Sequence, residues 1–151
     1  MTAATASTYR PSWARRGADT TLAWLLRHGR APAFMRLLTV PGRTTGQPRT
    51  TPVVPVRDGE QVWVVSPYGE VGWVRNVRAA GRLELHRGRD RTAYDATELD
   101  PTAATPVLRA YLSMPSERFV RRDFDITAES TDAAISAEAA RHPVFALVPT
   151  S

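Results

Sequence analysis

The residues best suited to do chemistry lie in one stretch, Pro41–Thr50, which reads Pro-Gly-Arg-Thr-Thr-Gly-Gln-Pro-Arg-Thr. Its two arginines, Arg43 and Arg49, come from opposite arms of a predicted turn between antiparallel strands. Like charges placed together across a hairpin repel unless an anion lies between them, and a guanidinium binds phosphate or carboxylate through paired hydrogen bonds. Gly42 and Gly46 let the backbone turn its N–H groups inward, as in anion-binding nests. The spacing fits an anion site and a solvated turn equally well.

Threonine hydroxyls add further donors to the same stretch, at Thr44, Thr45 and Thr50. The stretch is not a Walker loop, which needs a longer gap between its glycines and a Gly-Lys pair. A dinucleotide-binding fingerprint is also excluded, because the chain contains no Gly-x-Gly.

Cysteine and lysine are both missing, and all 20 basic residues are arginine. These absences exclude disulfides, thiol nucleophiles, cysteine-based metal sites and Schiff-base chemistry. The three histidines, His28, His86 and His142, lie in separate segments without ligand spacing, so no metal site is expected. No Ser-His-Asp arrangement or Gly-x-Ser-x-Gly elbow can be read, and no catalytic residue is assigned.

The chain has the length and composition of one compact domain, with 151 residues of which 42% are hydrophobic. We expect residues 1–17 to form a flexible tail and residues 18–151 a single domain. No apolar run approaches the roughly twenty residues that cross a bilayer, and the N-terminus has no apolar h-region, so a cytoplasmic protein is expected. The net charge of +5 favours an anionic partner, whether a phosphorylated cofactor, nucleic acid or a membrane surface.

Short strands separated by turns must position this loop. Asp58-Gly59 and Gly88 are typical of hairpin turns, and Pro52 and Pro55 indicate an edge or irregular strand. The predicted strands are 34–40, 49–57, 61–66, 82–87, 91–99 and 142–148. Five or six strands with few helices predict an α+β fold, mainly an antiparallel β-barrel with flanking helices.

Three segments have helical spacing. The predicted helices are 18–30, 70–80, which Gly81 closes, and 101–114, which Asp100-Pro101 opens. The first is amphipathic, and its apolar stripe fits packing on the core, the commoner use, or peripheral contact with a membrane. Segment 115–142 has no clear pattern.

Two stretches resemble motifs of the deazaflavin-dependent nitroreductase family. Leu38–Val53 is similar to the family's L-x-T-x-G-R-(K/T)-(S/T)-G-x-x-R-x-x-P-(L/V). Gly72–Leu85 is similar to its P-x-W-Y-x-N-(L/I)-x-A-N-P-x-V-x-V. The two stretches keep the family's order and approximate separation, and the resemblance extends from Ala33 to Leu99.

The resemblance implies a split β-barrel, the fold shared with flavin reductases and pyridoxamine-phosphate oxidases. It also implies a reductase that uses coenzyme F420, a phosphorylated 8-hydroxy-5-deazaflavin. Five loop residues would hold the phosphate and acidic tail of this cofactor: Arg43, Thr44, Thr45, Gln47 and Arg49. The residues that follow would line the edge of the deazaflavin ring through backbone groups: Thr50, Thr51, Pro52 and Val53.

The second motif completes the implied cofactor site with Trp73 and Asn76. The spacing of Trp73 favours the core over a stacking platform, whereas Asn76, the only asparagine of the chain, is expected to hydrogen-bond near the cofactor. Arg75 and Arg78 face either the cofactor tail or solvent. The helix beginning near Glu70 would direct its N–H groups to the same ligand, with Glu70 as a first-turn partner of the helix dipole.

The chain departs from the family pattern in places that bear on the acceptor. Val74 replaces an aromatic residue, the loop 66–72 is short and lacks a basic residue, and Gly81-Arg82 replaces Asn-Pro. Where the family has tyrosines that shape the acceptor pocket, segment 114–124 offers phenylalanine, which predicts a more apolar pocket.

Hydride transfer requires few catalytic side chains, because the cofactor supplies the electrons while the protein orients it and excludes water. Tyr68, Tyr111 or solvent could supply the proton, although a buried aromatic role fits both tyrosines better. The leading hypothesis is an F420-dependent reductase of electron-poor acceptors such as quinones, enones or nitroaromatics, active as a monomer or homodimer.

Two other functions remain open. One is a non-catalytic carrier of F420 or of a flavin, with FMN as the alternative cofactor. The other is a small nucleic-acid-binding barrel, suggested by the arginines of the hairpin 82–99. No nucleic acid is expected, because only Tyr94 on that hairpin could stack on a base.

Overall fold

The computed structural model describes Leu25, His28, Arg30 and residues 32–150. The predicted tail 1–17 lies outside the described residues, as does nearly all of the predicted helix 18–30, so the division into a tail and one domain stays a prediction. In chain order the elements are β1 (Arg36–Pro41), β2 (Pro48–Val53), β3 (Val56–Asp58), β4 (Gln61–Val65), α1 (Gly72–Ala80), β5 (Arg82–Arg87), β6 (Asp90–Glu98), α2 (Pro101–Leu112), two 3-10 turns (Pro115–Phe119 and Arg121–Asp123), α3 (Asp132–Ala139) and β7 (Val144–Pro149).

The strands form one seven-stranded antiparallel sheet in the order β2-β1-β5-β6-β7-β4-β3, which curls into a half-barrel. Short turns join β1 to β2, β3 to β4 and β5 to β6, as antiparallel pairing allows. The last strand, β7, inserts between β6 and β4. The predicted α+β fold, a mainly antiparallel split barrel with flanking helices, is confirmed.

Apolar residues cover both faces of the sheet. On the inner face, Val74 and Val77 of α1 are buried, and burial of such a side chain stabilises the fold by roughly 1.5–3 kcal/mol. They pack against alternate strand residues: Leu38, Val40, Val53, Val62, Val64, Leu83, Leu85, Tyr94, Phe145 and Leu147. Val65 and Val144 belong instead to a second cluster, formed with α2 and α3. The inner face therefore carries α1, the helix that bears the second motif.

The predicted strand 49–57 is in fact two strands at opposite edges of the sheet. β2 pairs with β1, and β3 pairs with β4. Pro55 lies between them and has no N–H with which to continue a ladder, so the chain leaves one neighbour there and joins another. The prediction of a single strand is wrong. The edge position predicted from Pro52 and Pro55 is confirmed, because β2 and β3 are the edge strands.

The helices begin and end near the predicted signals. α1 begins at Gly72, after the expected Glu70, and Gly81 closes it in the left-handed conformation with φ 69°. The side chain of Asp100 caps α2 by accepting a first-turn N–H. Segment 115–142, without a pattern in the sequence, contains α3 and the two 3-10 turns. Within the described residues, no helix has the length and apolar character needed to cross a membrane.

Candidate functional site

The loop between β1 and β2 is a tight hydrogen-bonded turn. The N–H of Gly42 donates to the carbonyl of Gln47 at 2.8 Å, and the N–H of Gly46 donates to the carbonyl of Gly42 at 2.8 Å. Gly46 has a left-handed φ of 73°, and a Cβ on Gly42 would lie 3.2 Å from the Gln47 oxygen. The hydroxyl of Thr45 accepts the N–H of Gln47 at 3.2 Å. The shape of the loop therefore depends on both glycines.

Arg43 and Asn76 fasten this loop to α1. Asn76 is 5% exposed, and its Oδ1 accepts the backbone N–H of Arg43 at 3.0 Å and the Nη1–H of Arg43 at 2.9 Å. A guanidinium has five N–H donors, so this contact orients Arg43 and leaves further donors for a ligand. The two motifs found in the sequence meet at this point.

Arg49 projects from the hairpin on the side that carries α1. It lies opposite Val40, which faces the inner core, so Arg49 and Thr51 alternate onto that face. The Cγ of Arg49 lies 3.7 Å from the position of a Cβ on Gly42, the residue before Arg43. The two arginines of the predicted anion site therefore emerge from neighbouring backbone.

Thr50 projects to the opposite, outer face. Its hydroxyl oxygen lies 3.1 Å from that of Thr39, which lies 3.3 Å from Nε2 of His86. The hydroxyl of Thr50 is therefore not part of the loop's donor set, and only its backbone groups remain for a cofactor. The sequence analysis missed Thr39 and the buried His86, which the register of β1 with β2 and β5 brings together.

The other implied cofactor residues on this hairpin range from exposed to buried. Thr44 and Gln47 are exposed in the loop, Thr51 and Pro52 are half-buried, and Val53 belongs to the inner core. β2 is an edge strand, so its outward backbone groups have no strand partner within the described residues. Such groups can hydrogen-bond a ligand laid along the edge.

Trp73 lies on α1 and packs against the inner core. It is half-buried, and the centroid of its ring lies 6.0 Å from that of Phe145 at a tilt of 51°. This packing matches the core position that its spacing favoured, and part of the indole stays accessible.

The guanidinium of Arg78 is bonded to carboxylates of the protein itself. Its Nε and Nη2 donate to the two carboxylate oxygens of Glu98 at 2.7 and 2.8 Å, and its Nη1 donates to Glu70 at 3.1 Å. Donation to the carboxylate of Glu98 raises the pKa of Arg78, and donation to Glu70 adds to the shift. Glu70 precedes α1 and the first turn of α1 has no acidic residue, so the expected role of Glu70 as a first-turn dipole partner is wrong.

Arg43 and Arg49 are the cations of the candidate site, and whether Arg75 on α1 faces the cofactor tail or solvent stays open. All three are exposed, and Arg75 directly precedes Asn76 on α1. Among residues 32–150, no carboxylate lies within ion-pair distance of any of them. An anion bound among these guanidiniums would offset their mutual repulsion.

Tyr111, one candidate proton donor, and Phe124, expected near the acceptor, lie in the second cluster. Tyr111 is 4% exposed and Phe124 is 7% exposed, and their ring centroids are 6.0 Å apart. Burial raises the pKa of Tyr111, and nearby Tyr68 adds to the shift, which makes the phenol a weaker acid. These positions support the buried aromatic role of Tyr111 and do not place Phe124 in an open pocket.

The sequence analysis also missed a buried pair at the end of α3, formed by Glu138 and His142. The Oε1 of Glu138 lies 3.0 Å from Nε2 of His142. Their spacing of four residues at the end of a helix was the available signal. Within the described residues, no cluster of His, Asp or Glu could hold a metal ion.

Residues 13–138 match the model of the F420H2-dependent quinone reductase family. The chain belongs to this family. Both sequence motifs and the whole β1–β2 hairpin lie within the matched residues. The predictions of an F420-dependent oxidoreductase and of coenzyme F420 as its cofactor are confirmed for this quinone reductase.

Solved structures share the fold at low sequence identity. An F420-H2-dependent reductase is 18% identical with a TM-score of 0.54, over 77% of this chain and 95% of that one. A protein described as a domain-swapped dimer is 17% identical with a TM-score of 0.56, over 90% and 97%. A putative pyridoxamine 5'-phosphate oxidase from Listeria innocua is 16% identical with a TM-score of 0.53, over 87% and 92%. No curated protein matches the sequence.

Proposed function

We propose that this quinone reductase binds the anionic tail of coenzyme F420 at the β1–β2 loop and uses the reduced cofactor to deliver hydride to a quinone. The observation that carries the proposal is the anchored cation of Arg43. Asn76 holds both its backbone and its guanidinium, Arg49 emerges beside it, and neither arginine has a carboxylate partner among residues 32–150.

The loop suits a phosphate and an acidic tail. The bond to Asn76 fixes the guanidinium of Arg43 before a ligand arrives, so less rotamer freedom is lost on binding. Arg49, Thr44 and Gln47 are exposed around it and offer charged and neutral donors. A Cβ at position 42 would press on the carbonyl oxygen of Gln47, so glycine at this position allows the turn to close.

The edge of β2 suits the deazaflavin ring. Pro52 has no N–H for the ladder with β1, so its position is one whose backbone groups point outward, as is that of Thr50 two residues before. The carbonyl of Pro52 and the N–H and carbonyl of Thr50 can bond the polar edge of a ring, while Val53 and Trp73 supply apolar surface. When bound in its reduced form, the cofactor supplies a hydride, and the quinone gains that hydride and one proton to become a hydroquinone. Because Tyr111 is buried, solvent or the half-buried Tyr68 supplies the proton.

The acceptor proposed first is a quinone, as the family's description states. Enones and nitroaromatics extend the proposal, because all three accept a hydride at an electron-poor centre. A protein that binds F420 yet oxidises none of its reduced form in the presence of these acceptors is a carrier and not a reductase.

Binding of oxidised F420, followed by its fluorescence, tests the cofactor site. The double variant Arg43→Ala/Arg49→Ala removes two charge-assisted contacts, so we expect Kd to rise about 100-fold. Arg82→Ala/Arg89→Ala removes the same charge from exposed positions on the β5–β6 hairpin, and its Kd should stay within about two-fold of the native value.

Two results would contradict this proposal. Equal loss of affinity in both double variants would mean that net charge alone attracts the ligand. Equal binding of FMN and F420 would move the protein to a flavin-using function.

A further inference from the structure

Glu138 and His142 form a buried polar pair that the proposed hydride transfer does not use. Glu138 is 3% exposed and His142 is 6% exposed. The Oε1 of Glu138 bonds Nε2 of His142 and also accepts the backbone N–H of Asp125 at 3.4 Å. The other carboxylate oxygen accepts the guanidinium of Arg141, which also lies 3.5 Å from the carboxylate of Asp125. Burial of such a pair is costly unless every polar atom is satisfied, as it is here.

His142 links this pair to the loop before α1. Its Nδ1 lies 3.2 Å from the carbonyl oxygen of Ser66. A carbonyl only accepts hydrogen bonds, so Nδ1 carries a proton. Nε2 lies 3.0 Å from Oε1 of Glu138, so the ring bridges the carboxyl group and the loop. The ring also stacks on Phe124, with the two ring centroids 4.2 Å apart.

Hydrogen bonds continue from Ser66 to the N-cap of α1. Ser66 is fully buried, and its hydroxyl donates to the carbonyl of Gly69 at 2.5 Å. The same carbonyl accepts the N–H of Val71 at 2.9 Å, and Val71 is the N-cap of α1. Gly69 has φ 83°, and a Cβ there would lie 3.3 Å from the carbonyl of Arg141, so the loop fits closely against the residues around His142.

The start of α1 has no side-chain cap of its own, so its place depends on this loop. α1 carries Asn76, which fixes Arg43 in the anion loop. We propose that Glu138 and His142 are positioning residues. Through the hydrogen bond of the His142 ring to Ser66, they hold loop 66–71 and so set where Asn76 meets Arg43. The effect on cofactor affinity rests on the proposed function, whereas the effect on the loop does not.

His142→Phe tests the inference, because it keeps a ring against Phe124 and removes both hydrogen bonds. In the ligand-free protein, we expect the amides of residues 66–75 to exchange hydrogen faster, as backbone that has lost its support opens more often. We expect Kd for oxidised F420 to rise about ten-fold, because the contact between Asn76 and Arg43 is displaced.

Two variants separate positioning from plain stability. Ile135→Ala opens a cavity on α3 without touching the pair, so it lowers Tm while Kd stays within about two-fold of native. Glu138→Gln is a rescue variant. Its amide nitrogen can donate to Nε2 of His142 and its oxygen can accept from Arg141, which leaves Nδ1–H on Ser66. Exchange and Kd should therefore stay close to native.

Native exchange rates in His142→Phe, or a rise in Kd for Ile135→Ala as large as for His142→Phe, would overturn the inference. If the native protein fails to bind F420, the proposed function falls while the exchange comparison still decides the inference. Should His142→Phe not fold, ¹⁵N NMR of the native imidazole gives the answer. An N–H signal from Nδ1 is expected, and an Nδ1 without a proton would contradict the account.

Discussion

At the β1–β2 loop, Arg43 and Arg49 are exposed and have no carboxylate partner within residues 32–150, whereas Arg78 on α1 holds two carboxylates, Glu98 and Glu70. The loop arginines lie on a turn that glycines shape. Because no carboxylate of residues 32–150 pairs with them, their donors remain for an external anion. The donors of Arg78 are used to fasten α1 to β6. The chain has 20 arginines, and only their neighbours distinguish binding from support.

Arginines elsewhere in the chain, like Arg78, are bonded to groups of the protein itself. Arg109 donates to the carbonyl of Ser130 at 2.8 Å and pairs with Asp132 at 2.5 Å, which ties α2 to α3. On the β5–β6 hairpin, Arg91 pairs with Glu84 at 3.3 Å. Tyr94, its one aromatic residue, is 5% exposed and lies in the inner core, where it offers no surface on which a base could stack.

Among the single substitutions, Asn76→Ala is expected to have the largest effect, because it removes the anchor of the loop arginine. Loss of both bonds to Arg43 should raise Kd for oxidised F420 about 30-fold and cost about 1–2 kcal/mol in free energy of unfolding. Fluorescence titration and urea denaturation measure the two effects. Thr105→Ala, which removes a buried hydrogen bond to Pro101 in α2, is the control and should lower stability alone. An unchanged Kd in Asn76→Ala would show that the anchor does not serve binding.

Arg78→Ala is expected to give the reverse pattern. The ion pairs with Glu98 and Glu70 are partly exposed, so their loss should cost only about 1 kcal/mol in free energy of unfolding, while Kd stays within about two-fold of native. Urea denaturation and the same titration measure both. A rise in Kd as large as that of Asn76→Ala would place Arg78 in the cofactor site and contradict the distinction between the two groups of arginines.

Tyr111→Phe is expected to have the smallest effect at neutral pH. Burial raises the pKa of the native phenol, so its contribution to stability is fully present below the tyrosine pKa of the unfolded chain, about 10. That contribution is lost as the pH rises from there through the folded pKa. The variant should therefore show a shallower fall of Tm above about pH 10 and native turnover with quinone at neutral pH. A large loss of turnover would make Tyr111 the proton donor.

The sequence could predict features that depend on residues close together along the chain. Gly42 and Gly46 define a turn by themselves, and alternating residues define the strands on each side of it. Gly81 closes α1 as expected. The fold class and the cofactor followed because the β1–β2 loop and α1 carry two motifs in a fixed order.

What it could not predict depends on partners that are distant along the chain. Nothing near Pro55 shows that β2 and β3 go to opposite edges of the sheet, since β4 and β1 decide their pairing. The bond between His142 and Ser66 joins residues 76 positions apart, in segments without a shared pattern. The partners of Arg78 lie on either side of α1 along the chain, so spacing alone left its role open.

The most direct measurement compares coenzyme F420 with the same deazaflavin lacking its phosphate-bearing tail, each titrated against the native protein and Arg43→Ala/Arg49→Ala. If the guanidiniums bind the tail, the native protein prefers the complete cofactor by about 100-fold and the double variant binds both compounds almost equally. The same preference in both proteins would show that the tail lies elsewhere, and the site described here would be wrong.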